Sequence, residues 1–121
     1  MTKRVLIVDD ALFMRNLLRE VFLQAGWQVI AEAENGRQAV DRYVEYQPDL
    51  VTMDIVMPEM NGLEALRQII GLHPEARIIM CSALGQERMV MEAIRAGARD
   101  FIIKPFRNQQ VLEVVERVSA G

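Results

Sequence analysis

The chain has 121 residues, a formal net charge of −3, 51% apolar and 26% charged residues. That length supports one globular domain with a sizeable core; the mild acidity excludes a general nucleic-acid or anionic-membrane binder, and the lone Cys81 excludes an internal disulfide framework. No apolar run approaches the ~18 residues of a membrane span and "MTKRVLIVDD" lacks a signal peptide's apolar core, so a cytoplasmic location is expected.

In chain order, Val5–Val8 reads as a first strand. It is followed by a helical stripe of Met14, Leu17, Leu18, Val21, Phe22 and Ala25, stopped by Gly26. Val29–Ala31 reads as the second strand, and Ala39, Val40, Tyr43 and Val44 as a second stripe that ends before Pro48. Leu50–Met53 is the third strand, and "EMNG" at residues 59–62 reads as a turn into a third helix. That helix carries Gly62, Leu66, Ile69 and Ile70 and stops before Pro74. Ile78–Cys81 is the fourth strand; Val90, Ala93 and Ile94 mark a fourth helix closed by Gly97. Phe101–Ile103 is the fifth strand, and Val111, Val114, Val115 and Val118 repeat at i, i+3, i+4 and i+7. Four of the five strands are apolar throughout, the pattern of strands covered on both faces. Five such alternations predict a single α/β domain over residues 1–121, a doubly wound (βα)5 fold with a five-stranded parallel sheet.

Chemistry in such sheets gathers beyond the carboxyl ends of the strands. Those ends carry Asp9 and Asp10 after the first strand, Asp54 after the third, Ser82 after the fourth and Lys104 after the fifth. In the order 2-1-3-4-5 the third strand is central, with the first and fourth each ~4.8 Å away. Asp54 then lies between the acid pair and Ser82, and only a side chain as long as Lys104 can reach in from the fifth strand. Two carboxylates ~4 Å apart repel by about 4 kcal/mol at an effective dielectric of about 20. Three are tenable only with cations among them: Lys104 supplies one charge, and a hard divalent ion such as Mg2+ would balance the others. A carboxylate can also attack phosphorus, and these groups would clamp a phosphoryl in flight. The plainer alternative makes Asp9 and Asp10 helix N-cap acids, which accounts for one of them but not for their companions.

The segments "LIVDD", "DLVTMDIVMPEMNG", "IIMCSALG" and "AGARDFIIKPF", in this order and spacing, resemble the receiver domain of two-component response regulators over the whole chain. The likeness is strongest to stand-alone chemotaxis regulators of the CheY type, with their flavodoxin-like fold. The resemblance implies a signalling switch rather than a conventional enzyme, one that catalyses its own phosphoryl uptake and loss. It implies that Asp54 is the phosphoacceptor, with Asp10 and Asp54 as direct Mg2+ ligands, Asp9 acting through water, and the Val56 carbonyl completing the set. Mn2+ would substitute. Ser82 matches the switch hydroxyl, Lys104 the family's lysine and Phe101 the switch aromatic; the Lys104–Pro105 bond would be cis. Val56 and Leu84 fall where the family tunes dephosphorylation.

The implied partners are a chemotaxis-type histidine kinase, a docking target such as the flagellar motor switch, and a phosphatase, with no nucleic acid or membrane and a monomeric state. Only "VSAG" follows the fifth helix, so output by docking is expected, over Arg88, Met91, Arg95, Ile103, Phe106 and Arg107. Phe101 is expected in the core. Cys81 is expected as an inert core thiol and His73 as a surface-loop residue. An aspartate-dependent phosphohydrolase is the rival from another class, but no second acid stands two residues from Asp54 or Asp9. A flavin-binding module would meet carboxylates where it needs a hydroxyl-rich phosphate loop. A phosphorelay intermediate, or a receiver cut from a larger regulator, stays open.

Overall fold

The computed structural model describes residues 3–120. Its elements are β1 (Arg4–Val8), α1 (Leu12–Gln24), β2 (Gln28–Ala33), α2 (Gly36–Tyr46), β3 (Leu50–Asp54), α3 (Gly62–Leu72), β4 (Ile78–Ser82), α4 (Glu87–Ala96), β5 (Asp100–Ile103) and α5 (Asn108–Ala120). The strands form one parallel sheet in the order β2-β1-β3-β4-β5. Sheet order and strand count match the expectation from sequence. β3 and β4 each run one residue past their apolar segments, because pairing with a neighbour continues the ladder through Asp54 and Ser82.

Alternation along each strand divides the core between the two faces of the sheet. Leu6, Val8, Val51, Met53, Ile78 and Met80 face α2, α3 and α4, meeting Ala39, Tyr43, Leu66, Ile69, Val90 and Ala93. Val5, Ile7, Leu50, Ile79, Cys81 and Ile102 face α1 and α5, meeting Leu18, Phe22, Val111 and Val115. Each large apolar side chain so buried contributes roughly 1.5–3 kcal/mol. The predicted helix stops are real: Gly97, with φ +119°, takes the left-handed conformation at the end of α4, and Gly26, with φ +86°, lies just beyond α1.

Several apolar residues are not where their periodicity put them. Leu17, Ala25, Val44 and Ile94 are exposed, because each helix buries a narrower stripe than its apolar pattern suggests. Phe101 is 39% exposed and not a core residue. It stands on the edge strand β5, level with Met80, on the face that α4 covers. There α4 buries only Val90 and Ala93 and leaves an apolar cavity of about 230 Å3 lined by Ser82, Leu84, Met91, Ile94, Phe101 and Ile103. His73 is half-buried, its ring 5.1 Å from that of Tyr43.

Candidate functional site

Asp9, Asp54 and Lys104 meet because of register and parity. Ile7 pairs with Thr52, so Asp9 and Asp54, each two residues on, end neighbouring strands on the α1/α5 face. Cys81 is level with Asp54 on one side and with Ile102 on the other. Lys104, two residues beyond Ile102, reaches back over β4. Its Nζ lies 2.9 Å from Asp9 Oδ2 and 3.2 Å from Asp54 Oδ1. The backbone amide of Lys104 donates to the Ser82 carbonyl at 2.7 Å, which ties the lysine's base to the end of β4. Lys104–Pro105 is a cis peptide bond, as the resemblance implied.

Asp9 is buried and held at every polar atom. Its amide donates to the Ala33 carbonyl at 3.0 Å, and its Oδ1 accepts from the Ala11 amide at 2.9 Å. Its Oδ2 accepts from Lys104 and its carbonyl from Arg15 Nη1 at 2.7 Å. Asp9 therefore does part of what the plainer reading proposed, satisfying an amide beside the start of α1, whose N-cap residue is Ala11. Asp10 is exposed beside it. Carboxylate oxygens of Asp9, Asp10 and Asp54 lie within 4.8 Å of one another, a cluster with the hard oxygen donors that a divalent cation takes.

The electrostatics follow from burial and crowding. Burial, then the neighbouring Asp9 charge, pushes the Asp54 carboxyl from 3.8 up to about 6, against the pull of Lys104. Burial disfavours the Lys104 ammonium, but the hydrogen bond to Asp9 and the charges of Asp54 and Asp9 outweigh it, and its pKa rises. Beneath them the buried Cys81 thiol is pushed up to about 12, chiefly by burial, so it is inert at neutral pH.

The loop after β3 is pinned tightly. The Gly62 amide donates to the Ile55 carbonyl at 2.7 Å, and a Cβ on Gly62 would overlap the Asp54 carbonyl oxygen. Asn61 caps α3 by accepting from the Glu64 amide at 2.9 Å. Val56 is 53% exposed and Leu84 76% exposed, leaving apolar side chains in solvent on the loops that follow β3 and β4.

The remaining candidates lie elsewhere. Ser82 ends β4 one residue past Cys81, its parity placing it on the α4 face with Phe101 and Ile103. Of the expected docking residues, Arg88, Met91 and Arg95 on α4, together with Ile103 and Arg107, are exposed, whereas Phe106 is half-buried against the α1/α5 core. One residue that bears on the site escaped the sequence reading. Arg15, near the start of α1 between Met14 and Asn16, is 9% exposed and bonded both to Asp9 and to Glu32 on β2. An isolated Arg in an amphipathic helix carries no local sign that it points inward.

This sheet order, with a lysine bridging two carboxylates above its central strands, defines a doubly wound α/β module built around an acidic pocket. Residues 5–116 match the family described as the response regulator receiver domain, and the chain belongs to that family. It is 57% identical to the chemotaxis protein CheY of Thermotoga maritima over 98% of this chain and 99% of that one. It is 56% identical to CheY of Bacillus subtilis over 97% and 98% respectively. Among solved structures it is similar to the CheX–CheY–BeF3–Mg2+ complex from Borrelia burgdorferi, with TM-score 0.92 and 40% identity over 96% of this chain and 88% of that chain. The chain is thus a receiver domain closely related to CheY, a phosphoacceptor switch of chemotaxis signalling. Among the described residues no helix is long and apolar enough to cross a membrane.

Proposed function

We propose that Asp54 accepts the phosphoryl group, from the phosphohistidine of a chemotaxis-type histidine kinase, in the presence of Mg2+ held at Asp10 and Asp54. The observation that carries this reading is the Lys104 ammonium set between Asp9 and Asp54, 3.2 Å from one Asp54 oxygen. One carboxylate oxygen of Asp54 is thereby neutralised while the other is left to attack phosphorus. The P–N bond of the donor breaks as the P–O bond to Asp54 forms, and Lys104 follows the charge onto the phosphoryl oxygens. When bound, Mg2+, or Mn2+ in its place, supplies positive charge to the same oxygens. Both oxygens of Asp9 are already engaged by Ala11 and Lys104, so Asp9 fits a role through water; the Val56 carbonyl is the remaining protein donor.

Ser82 would bond a phosphoryl oxygen, drawing its loop inward. The cavity between α4 and β5 is where Phe101, now 39% exposed, would turn in. The exposed face of Arg88, Met91, Arg95, Ile103 and Arg107, with Phe106 at its margin, would then dock a target such as the flagellar motor switch, and a phosphatase would reset the domain. The chain acts in this reading as a monomeric single receiver domain over residues 1–121. Incubation with radiolabelled acetyl phosphate, with and without chelator, tests it. Wild type should label only with divalent cation and Asp54→Asn not at all; equal labelling of the variant would refute the assignment.

A further inference from the structure

A buried arginine must have charged or polar partners to offset its desolvation, and ordering so long a side chain costs rotamer entropy. Arg15 finds two partners in different elements. Its Nη1 donates to the Asp9 carbonyl at 2.7 Å, and its Nε donates to Glu32 Oε1 at 3.1 Å. The second Glu32 oxygen accepts from Arg19 Nη1 at 3.1 Å, so the carboxylate that anchors Arg15 is itself braced. The contact with Asp9 is to the main chain. The Asp9 carbonyl and the Asp10 amide share one planar peptide unit, so a donor on that oxygen sets the plane from which Asp10 departs. Asp10 is exposed, so its carboxylate depends on the backbone behind it for its direction. An ion pair serving only to fasten α1 to β2 would need Glu32 and not the Asp9 carbonyl.

We propose that Arg15, anchored by Glu32, is a positioning residue for the cation pocket: it fixes the peptide between Asp9 and Asp10 and so aims the Asp10 carboxylate at the ion. The inference rests on the reading of Asp10 and Asp54 as Mg2+ ligands. Positioning and simple charge predict opposite signs. Arg15→Gln removes a positive charge near the pocket, which by itself would tighten cation binding; losing the brace loosens it. Arg15→Lys keeps the charge but gives up the planar fork that reaches Asp9 and Glu32 together.

The test is calorimetric titration of the unphosphorylated full chain with MgCl2, with thermal melts in chelator alongside. The Mg2+ Kd should rise ~10-fold in both Arg15→Gln and Arg15→Lys, as for other residues that orient metal ligands. Glu32→Gln should weaken binding less, and Arg19→Gln, which keeps both Arg15 bonds and removes only the brace on Glu32, less still. Arg15 variants that bind Mg2+ as well as wild type or better, whatever their melting temperatures, overturn the proposal. If both Arg15 variants are unfolded, Glu32→Gln decides, and an unchanged Kd there overturns it. A wild type with no saturable response overturns the cation reading and this inference with it, whereas a responsive wild type with indifferent variants overturns this inference alone.

Discussion

Replacing Asp54 with Asn should stabilise the metal-free protein at neutral pH, by an amount that shrinks as pH falls. Asp54 is 8% exposed, beside Asp9 and within reach of one ammonium. Burial first and the Asp9 charge second raise its pKa from 3.8 to about 6. The native state therefore retains a proton that the unfolded chain has surrendered between roughly pH 4 and pH 6. Wild-type stability falls as pH rises through that window, and the loss is complete above the native pKa. A displacement of about 2 pKa units, at about 1.36 kcal/mol each, corresponds to about 3 kcal/mol. Asn is a neutral near-isostere and escapes this penalty. At ~4 °C per kcal/mol for a chain of this size, the variant should melt about 10 °C above wild type at pH 8, and at the same temperature near pH 4. Thermal melts followed by circular dichroism in chelator, every half unit from pH 4 to pH 8, measure the gap directly, since groups common to both proteins cancel. Saturating Mg2+ should narrow the gap by stabilising wild type in preference to the variant. A gap independent of pH, or a variant less stable than wild type at pH 8, would show that Asp54 is not held ionised against its surroundings, and the reasoning would fail.

Val56, 53% exposed and apolar, cannot orient a hydrolytic water. Val56→Asn should therefore shorten the lifetime of the phosphorylated protein severalfold, measured as loss of label after the donor is removed; equal or slower decay rejects the idea. Gly62→Ala should lower stability by roughly 2 kcal/mol, about 8 °C in Tm, although Ala is the better helix former. The reason is the overlap of its Cβ with the Asp54 carbonyl oxygen, and an unchanged or raised Tm would contradict it. The same variant should label more slowly, because the backbone that moves is the one carrying Asp54.

Much of this molecule was legible in one dimension. The apolar runs at Val5–Val8 and Ile78–Cys81 identify strands covered on both sides, since no other soluble environment tolerates four consecutive apolar residues in extended chain so well. Gly26 and Gly97 mark helix ends because their positive φ is cheap only for glycine. Asp9, Asp54 and Lys104 could be placed at strand ends from their positions alone, because a parallel sheet delivers all its carboxyl ends to one side.

What the linear pattern leaves open is which face of an element is covered and how deeply. That depends on the stand-off between α4 and β5, which exposes Phe101 and leaves a cavity beside it. It depends also on the space between α1 and β2, which turns Arg15 inward onto Asp9 and Glu32. Periodicity reports the direction of a side chain about its own axis. Burial, ion pairing and the rise of the Asp54 pKa arise from residues as far apart as 9, 54 and 104, and no local window of sequence holds all three.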